Sequence, residues 1–162
     1  VELKGLRGSA TTRIDDKGRL KIPSIFRSVI QDRHGADVFV TSLTGECVLI
    51  YPLKEWVSLE QRLLDLPEQL PERLKFLELV NYFGQEGELD SQGRVLIPTL
   101  IRQEAAIAGD VRVYGRITHL EVWNAERVEA RNTGNRWTRE DGERLSDYTK
   151  RLPSPGSPGG SR

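Results

Sequence analysis

Cysteine is all but missing from this 162-residue chain: Cys47 stands alone, so no disulfide can form within it. Its setting, Cys47-Val48-Leu49-Ile50, suits a small core residue better than a reactive thiol. Histidine is nearly as scarce. His34 precedes Gly35 in an expected loop and His119 lies in or beside an expected strand, and neither has ligand spacing around it. No zinc site, other metal site or histidine base is therefore expected. Gly-x-Gly-x-x-Gly and Walker patterns are absent, so no nucleotide cofactor is expected. Methionine is absent too, and we expect the initiator to have been removed. No apolar run approaches the roughly 20 residues that cross a bilayer. The opening VELKGLRGSATTR has no apolar stretch followed by small residues, so it is not expected to act as a secretory signal. What survives is a cytoplasmic globular protein without a cofactor, a membrane span or a small-molecule substrate, and not an enzyme.

The formal net charge is zero, but it is unevenly spread. Residues 1–36 carry a net of +4, residues 37–130 a net of −7, and residues 131–162 a net of +3. A basic N-terminal segment on an acidic body suits an anionic partner met on one face.

What the chain does have is a phrase written twice. IDDKGRLKIP, from Ile14, returns as LDSQGRVLIP, from Leu89. Aligning the copies gives identities at Asp15/Asp90, Gly18/Gly93, Arg19/Arg94, Ile22/Ile97, Pro23/Pro98 and Arg27/Arg102. The echo continues downstream, where Asp37–Val40 matches Asp110–Val113 and Leu49–Pro52 matches Glu121–Asn124. Each copy reads strand, turn, strand, short helix, strand, strand, helix. Two copies are too few for a solenoid and suit a pseudo-twofold single domain. Between them, Trp56, Leu59, Leu63 and Leu66 predict a helix from Leu53 to about Leu66. Pro71 suits the first position of a second helix, with Leu70, Leu74, Leu77 and Val80 on one stripe, running to about Tyr82 and stopping at Gly84. Asn124 is a good N-cap for a third. The stretch 134–151 reads as a weak helix or a tether, and the Pro/Gly/Ser-rich end as disordered.

The repeated phrase has the grammar of a hairpin tip. Asp15-Asp16-Lys17-Gly18 reads as a type I turn, with the glycine in the left-handed conformation of a bulged hairpin; Asp90-Ser91-Gln92-Gly93 repeats it. Asp15, Gly18, Asp90 and Gly93 are thus the turn-forming residues. In the outgoing strand Leu20 and Ile22 should face inward, with Arg19 and Lys21 outward. Pro23 should open a helix burying Ile25, Phe26, Val29 and Ile30. In the second copy Val95 and Ile97 should face inward and Arg94 outward. The first tip then offers Lys17, Arg19 and Lys21, with Arg13 on the incoming strand. A β-ribbon fits the major groove of B-DNA, arginine can fork onto guanine, and lysine can hold phosphates. Equally, Arg19 and Arg94 could bond back to Asp15 and Asp90 and simply brace their own turns, or do both. The second tip is poorer in charge, with Gln92 for Lys17 and Leu96 for Lys21, so the first copy is expected to carry more of the contact. Trp56, Trp123 and Tyr51 read as packing residues rather than base-stacking platforms.

In these features the chain resembles the MraZ family, bacterial transcriptional regulators encoded with cell-division and cell-wall genes and part of the AbrB-like swapped-hairpin group. The resemblance covers about Leu6 to Arg131. It rests on Leu6-Arg7-Gly8, on Asp15 through Leu20 with Ile22-Pro23, on Leu49 through Leu53 with Glu55-Trp56, on Asp90 through Pro98, and on Glu121-Val122-Trp123. It implies an α+β, β-rich fold in which two halves intertwine into one pseudo-twofold swapped-hairpin β-barrel with flanking helices. It also implies a homo-oligomeric ring and Asp-x-x-x-Arg tips that contact double-stranded DNA at boxes repeated upstream of the operon, in the nucleoid. Carried over by position, the DNA role falls on Lys17, Arg19 and Arg94; Gln92 departs from a basic residue.

The domain organisation expected from repeat and resemblance is a first copy with helices over 6–82 and a second over 83–131, together one compact domain, followed by a polar, flexible tail over 132–162. The alternative is an AbrB-like antitoxin or an interaction module, in which a disordered tail grips a partner. With few apolar anchors in LPSPGSPGGSR, the tail is poorly suited to that.

Overall fold

Residues 5–152 are described by a computed structural model, and the chain divides into two compact units at Val128–Glu129. The first unit holds eight strands: β1 (Ser9–Ile14), β2 (Arg19–Lys21), β3 (Asp37–Thr41), β4 (Val48–Pro52), β5 (Gln85–Glu88), β6 (Arg94–Leu96), β7 (Gly109–Gly115) and β8 (Leu120–Asn124). Helix α1 (Ser24–His34) lies between β2 and β3, α2 (Leu53–Leu64) and α3 (Pro71–Phe83) between β4 and β5, α4 (Thr99–Glu104) between β6 and β7, and α5 (Ala125–Gly134) follows β8.

All pairings are antiparallel, in the order β5-β3-β4-β8-β7-β1-β2-β6. The two outermost strands, β5 and β6, are the arms of one hairpin, so the sheet curls into a nearly closed barrel. The repeat explains the order. The first strand of each copy pairs with the third strand of the other, β1 with β7 and β5 with β3. Second strands pair with each other, as do fourth strands. The halves therefore exchange strands rather than fold side by side. Equivalent residues meet at two places, Leu20 opposite Val95 and Leu49 opposite Glu121, and these mark the pseudo-twofold axis.

Strand alternation fills the interior. Leu20, Ile22, Val38, Val40, Val48, Ile50, Val95, Ile97, Val111, Val113, Leu120 and Val122 are buried, joined by Phe26 and Ile30 from α1 and Ile101 from α4. Each such side chain contributes about 1.5–3 kcal/mol through removal from water. A second cluster seats α2 and α3 on the outer face of β3: Trp56 stacks on Phe39 at 4.6 Å, with Tyr51 edge-on at 5.0 Å and Val80 and Phe76 beside them. Cys47 and Trp123 are buried in a third cluster with Val128. Trp56, Trp123 and Tyr51 thus pack the fold, and Cys47 is a small core residue.

Several expectations change in detail. Ile25 is 53% exposed; of the apolar residues of α1, Phe26 and Ile30 are buried in the barrel interior and Val29 packs half-buried against it. Pro23 stands just before α1 as its cap rather than in its first turn, its carbonyl accepting from the N–H groups of Phe26 and Arg27. His34 closes α1 instead of lying in a loop. Pro71 does open α3, but the packed stripe of that helix is Phe76, Val80 and Phe83, and Leu74 faces water. Gly84 ends α3 with extended backbone; a Cβ there would collide with the Phe39 ring and the Val80 carbonyl, so close approach explains the glycine. Asn124 caps α5 as expected, accepting from the N–H groups of Glu126 and Arg127.

In the second unit, 134–151 resolves in favour of a helix, α6 (Arg139–Lys150), nucleated by a capping box between Thr138 and Asp141. The Pro/Gly/Ser-rich end beyond Leu152 lies outside the described residues.

Candidate nucleic-acid interface

The interface begins at the two turns. The Gly18 N–H donates to the Asp15 carbonyl at 3.1 Å and the Asp15 N–H to the Arg19 carbonyl at 2.9 Å; Gly93, Asp90 and Arg94 repeat both bonds at 2.9 Å. Gly18 has φ 84° and Gly93 φ 73°, the left-handed bulge conformation that a side chain resists. Each aspartate then binds its turn from within. Asp15 Oδ1 accepts from the N–H groups of Lys17 (3.0 Å) and Arg19 (2.8 Å), and Oδ2 accepts from Arg19 Nε at 2.8 Å. Asp90 does the same with Gln92, Arg94 and Arg94 Nε, each at 2.9 Å. The Arg19 backbone N–H, and then its side chain, hold the Asp15 carboxyl below the ordinary aspartate pKa, and Arg94 does this for Asp90. The brace engages Nε, so the outer Nη groups of each guanidinium fork are not part of it.

Pairing of β2 with β6 sets the two tips together. The register is Arg19 opposite Leu96, Leu20 opposite Val95 and Lys21 opposite Arg94. Directly paired residues share a face, so Leu20 and Val95 point inward while Arg19, Lys21, Arg94 and Leu96 form a square facing out. The tips lie at opposite ends of this short ribbon, since Gly18 bonds to Ile97 and Gly93 to Ile22. Their arginines nonetheless lie on one face, as diagonal neighbours about 7–8 Å apart or somewhat less between Cβ atoms. Neither arginine is sunk: their side chains are 35% and 26% exposed.

The adjoining strand widens the face. Ile14 of β1 pairs with Leu20, and continuing that register puts Arg13 beside Lys21. Arg13 is exposed and pairs across the next strand with Asp110 at 3.3 Å, an exposed contact that solvent makes weak. Lys17 stands exposed at the first tip. All five expected cations, Arg13, Lys17, Arg19, Lys21 and Arg94, therefore come from one patch of β1, β2, β6 and their turns. Arg94 and Lys21 are direct neighbours, so cations from both copies mix across the ribbon.

Arg27 and Arg102, identical across the copies, carry a role that the sequence signals only by that identity. Each crosses to the other copy's turn. The Arg27 side chain lies over Gly93 and Nη2 donates to the Ser91 carbonyl at 2.9 Å; Arg102 lies over Gly18 and donates to the Ile97 carbonyl and to Thr99 Oγ1, both at 3.0 Å. Leu96, noted only for lacking Lys21's charge, is 53% exposed.

His119 is remote from this chemistry in function: it stacks on Tyr51 at 4.2 Å, burial lowers its pKa, and it precedes β8 at the opposite pole of the pseudo-axis. Among the described residues no cluster of His, Cys, Asp and Glu could hold a metal ion, and no helix is long and apolar enough to cross a membrane.

Comparison with known proteins is consistent along the chain. A family model described as "MraZ protein, putative antitoxin-like" matches residues 6–77 and 84–131. The chain is 44% identical over 142 residues to the transcriptional regulator MraZ of Acidobacterium capsulatum, covering 88% of this chain and 97% of that relative. It is 45% identical over 142 residues to that of Koribacter versatilis, covering 87% and 97%. It is 40% identical over 124 residues to that of Syntrophobacter fumaroxidans, covering 76% and 82%. These relatives are named as regulators of transcription and not as enzymes.

Proposed function

The chain belongs to the MraZ family, and on that premise we propose that it regulates transcription by binding double-stranded DNA at specific sequences, through the outward face of β2 and β6. The observation that carries the reading is the placing of Arg19 and Arg94 on one face, each aimed by its own aspartate, with Lys21 between and Lys17 and Arg13 around them. Fixed guanidinium forks suit the O6 and N7 atoms of guanine in the major groove, while lysines suit phosphates.

One such face is small and binds weakly. We propose that copies of the chain join in a ring, so that several faces meet boxes repeated at regular spacing upstream of a cell-division and cell-wall operon, and that affinity arises through effective concentration. Binding then falls steeply with salt, because lysine and arginine displace counterions from the phosphates. The protein works in the cytoplasm, on the nucleoid. The test is footprinting of the purified protein on DNA upstream of its own gene: evenly spaced protected boxes are expected, and protection with no sequence preference overturns the reading.

A second reading, an AbrB-like antitoxin or interaction module, has one observation in its favour. Helix α6 places Leu145 and Tyr148 on one stripe with Trp137 before its cap, apolar anchors that the final residues of the chain lack. A purified protein that assembles into rings yet shows no affinity for any DNA at low salt would move this reading ahead.

A further inference from the structure

We infer that Leu96 reads the 5-methyl group of a thymine beside the guanine contacted by Arg19, so that the two halves of the pseudo-symmetric ribbon recognise different bases. The inference rests on the DNA-binding reading above and deepens it.

Three observations carry it. Leu96 points out of the barrel on a face otherwise made of Arg19, Lys21 and Arg94, and it is 53% exposed while its neighbours Val95 and Ile97 are almost fully buried. It belongs to none of the packed clusters among the described residues. It is also the place where the internal symmetry breaks. Arg94 is the pseudo-twofold mate of Arg19, but the mate of Leu96 is Lys21, so the same backbone position carries a cation in one copy and an apolar group in the other.

Fold stability accounts for little of this leucine, because about half of it is exposed and it lies outside the packed clusters. A lone exposed apolar side chain is ordinary on a protein surface. What sets Leu96 apart is its position, directly across the strand pair from Arg19. Directly paired side chains have Cβ atoms about 4.5–5.5 Å apart, so whatever Arg19 touches in a groove, Leu96 meets the adjacent base step. Leucine can neither donate nor accept a hydrogen bond. In the major groove its favourable partner is the one apolar group displayed there, the thymine methyl. Lys21, at the mirror corner beside Arg94, reaches a phosphate instead. The half of the box under Arg19 then reads guanine next to thymine. The half under Arg94 reads guanine held by a backbone contact.

The experiment uses the full-length protein. A site is first selected from random duplexes, and each thymine in it is then replaced singly by deoxyuridine, which removes only the methyl. Wild type should lose about fourfold in affinity at one thymine per box, in the half under Arg19, the effect expected from exposing one methyl-sized group. Leu96→Ala should bind the parent site more weakly and be indifferent to that replacement. Leu96→Lys should also be indifferent, with a steeper salt dependence from the added phosphate contact. Because Leu96 is exposed, both variants should melt at the wild-type temperature. If no deoxyuridine matters to wild type, or if Leu96→Ala keeps the same sensitivity, the inference is overturned while sequence-specific binding stands. If wild type selects no site at all, the DNA-binding reading fails first and takes this one with it.

Discussion

Arg27 of the first copy lies across Gly93 of the second, so close that a Cβ on that glycine would sit 2.6 Å from Arg27 Cδ. Arg102 covers Gly18 in the same way, at 2.5 Å from Cζ. Each turn is therefore shaped from inside by its aspartate and roofed from outside by an arginine of the other copy. The arginine ends are flexible and could swing aside, so the left-handed backbone is the stricter demand on each glycine.

Gly18→Ala and Gly93→Ala should each destabilise the fold by about 1–3 kcal/mol, the cost of holding a side chain at positive φ. Urea denaturation followed by circular dichroism measures it. A loss within a few tenths of a kcal/mol would show that the turns relax freely, and that the tips are not rigid.

Arg19→Ala and Lys17→Ala should weaken DNA binding differently. Loss of Arg19 should cost about 1–3 kcal/mol on the preferred site and relax the base preference there. Loss of Lys17 should weaken preferred and scrambled duplexes alike and lower the salt slope by about one. Gel-shift titrations at several salt concentrations separate the two patterns; equal losses on both duplexes for Arg19→Ala would demote it to a phosphate contact.

The turns should loosen in acid. Asp15 and Asp90 titrate in the fold below the ordinary aspartate value of about 3.9, so their contribution is fully present above that value. It is lost as pH falls through the lowered folded pKa. Carboxyl carbon shifts followed by NMR should give depressed midpoints for both. In Arg19→Ala part of the Asp15 depression should persist, because its largest cause is the backbone N–H of residue 19, which alanine keeps. A midpoint at the ordinary value in the variant would assign the shift to the side chain instead.

Much of this architecture was legible in the chain because the repeat encodes it twice. A turn motif with aspartate first and glycine fourth admits few conformations, and Leu20 and Ile22 alternate with Arg19 and Lys21, which settles the facing of the ribbon. Pairing was not legible. Nothing local in Arg19-Leu20-Lys21 says that its partner is Arg94-Val95-Leu96, and so the square of outward residues emerges only in three dimensions. For the same reason Arg27 and Arg102 show only their identity across the copies, and no role, until the halves intertwine. Burial along α1 and α3 departs from the expected stripes at Ile25 and Leu74, since apolar spacing shows a stripe but not how much of it the fold covers. From spacing alone Arg19 could brace its turn, contact DNA or do both. The geometry makes the two roles compatible, because Asp15 takes Nε and leaves the outer fork to another acceptor.

The most direct test is a binding titration of wild type against the Arg19→Ala/Arg94→Ala double variant, on DNA from upstream of the protein's own gene and on a scrambled duplex. Circular dichroism confirms that both are folded. The account predicts that wild type prefers the upstream DNA and that the double variant binds both duplexes weakly and equally. A folded double variant that keeps the wild-type preference would contradict it.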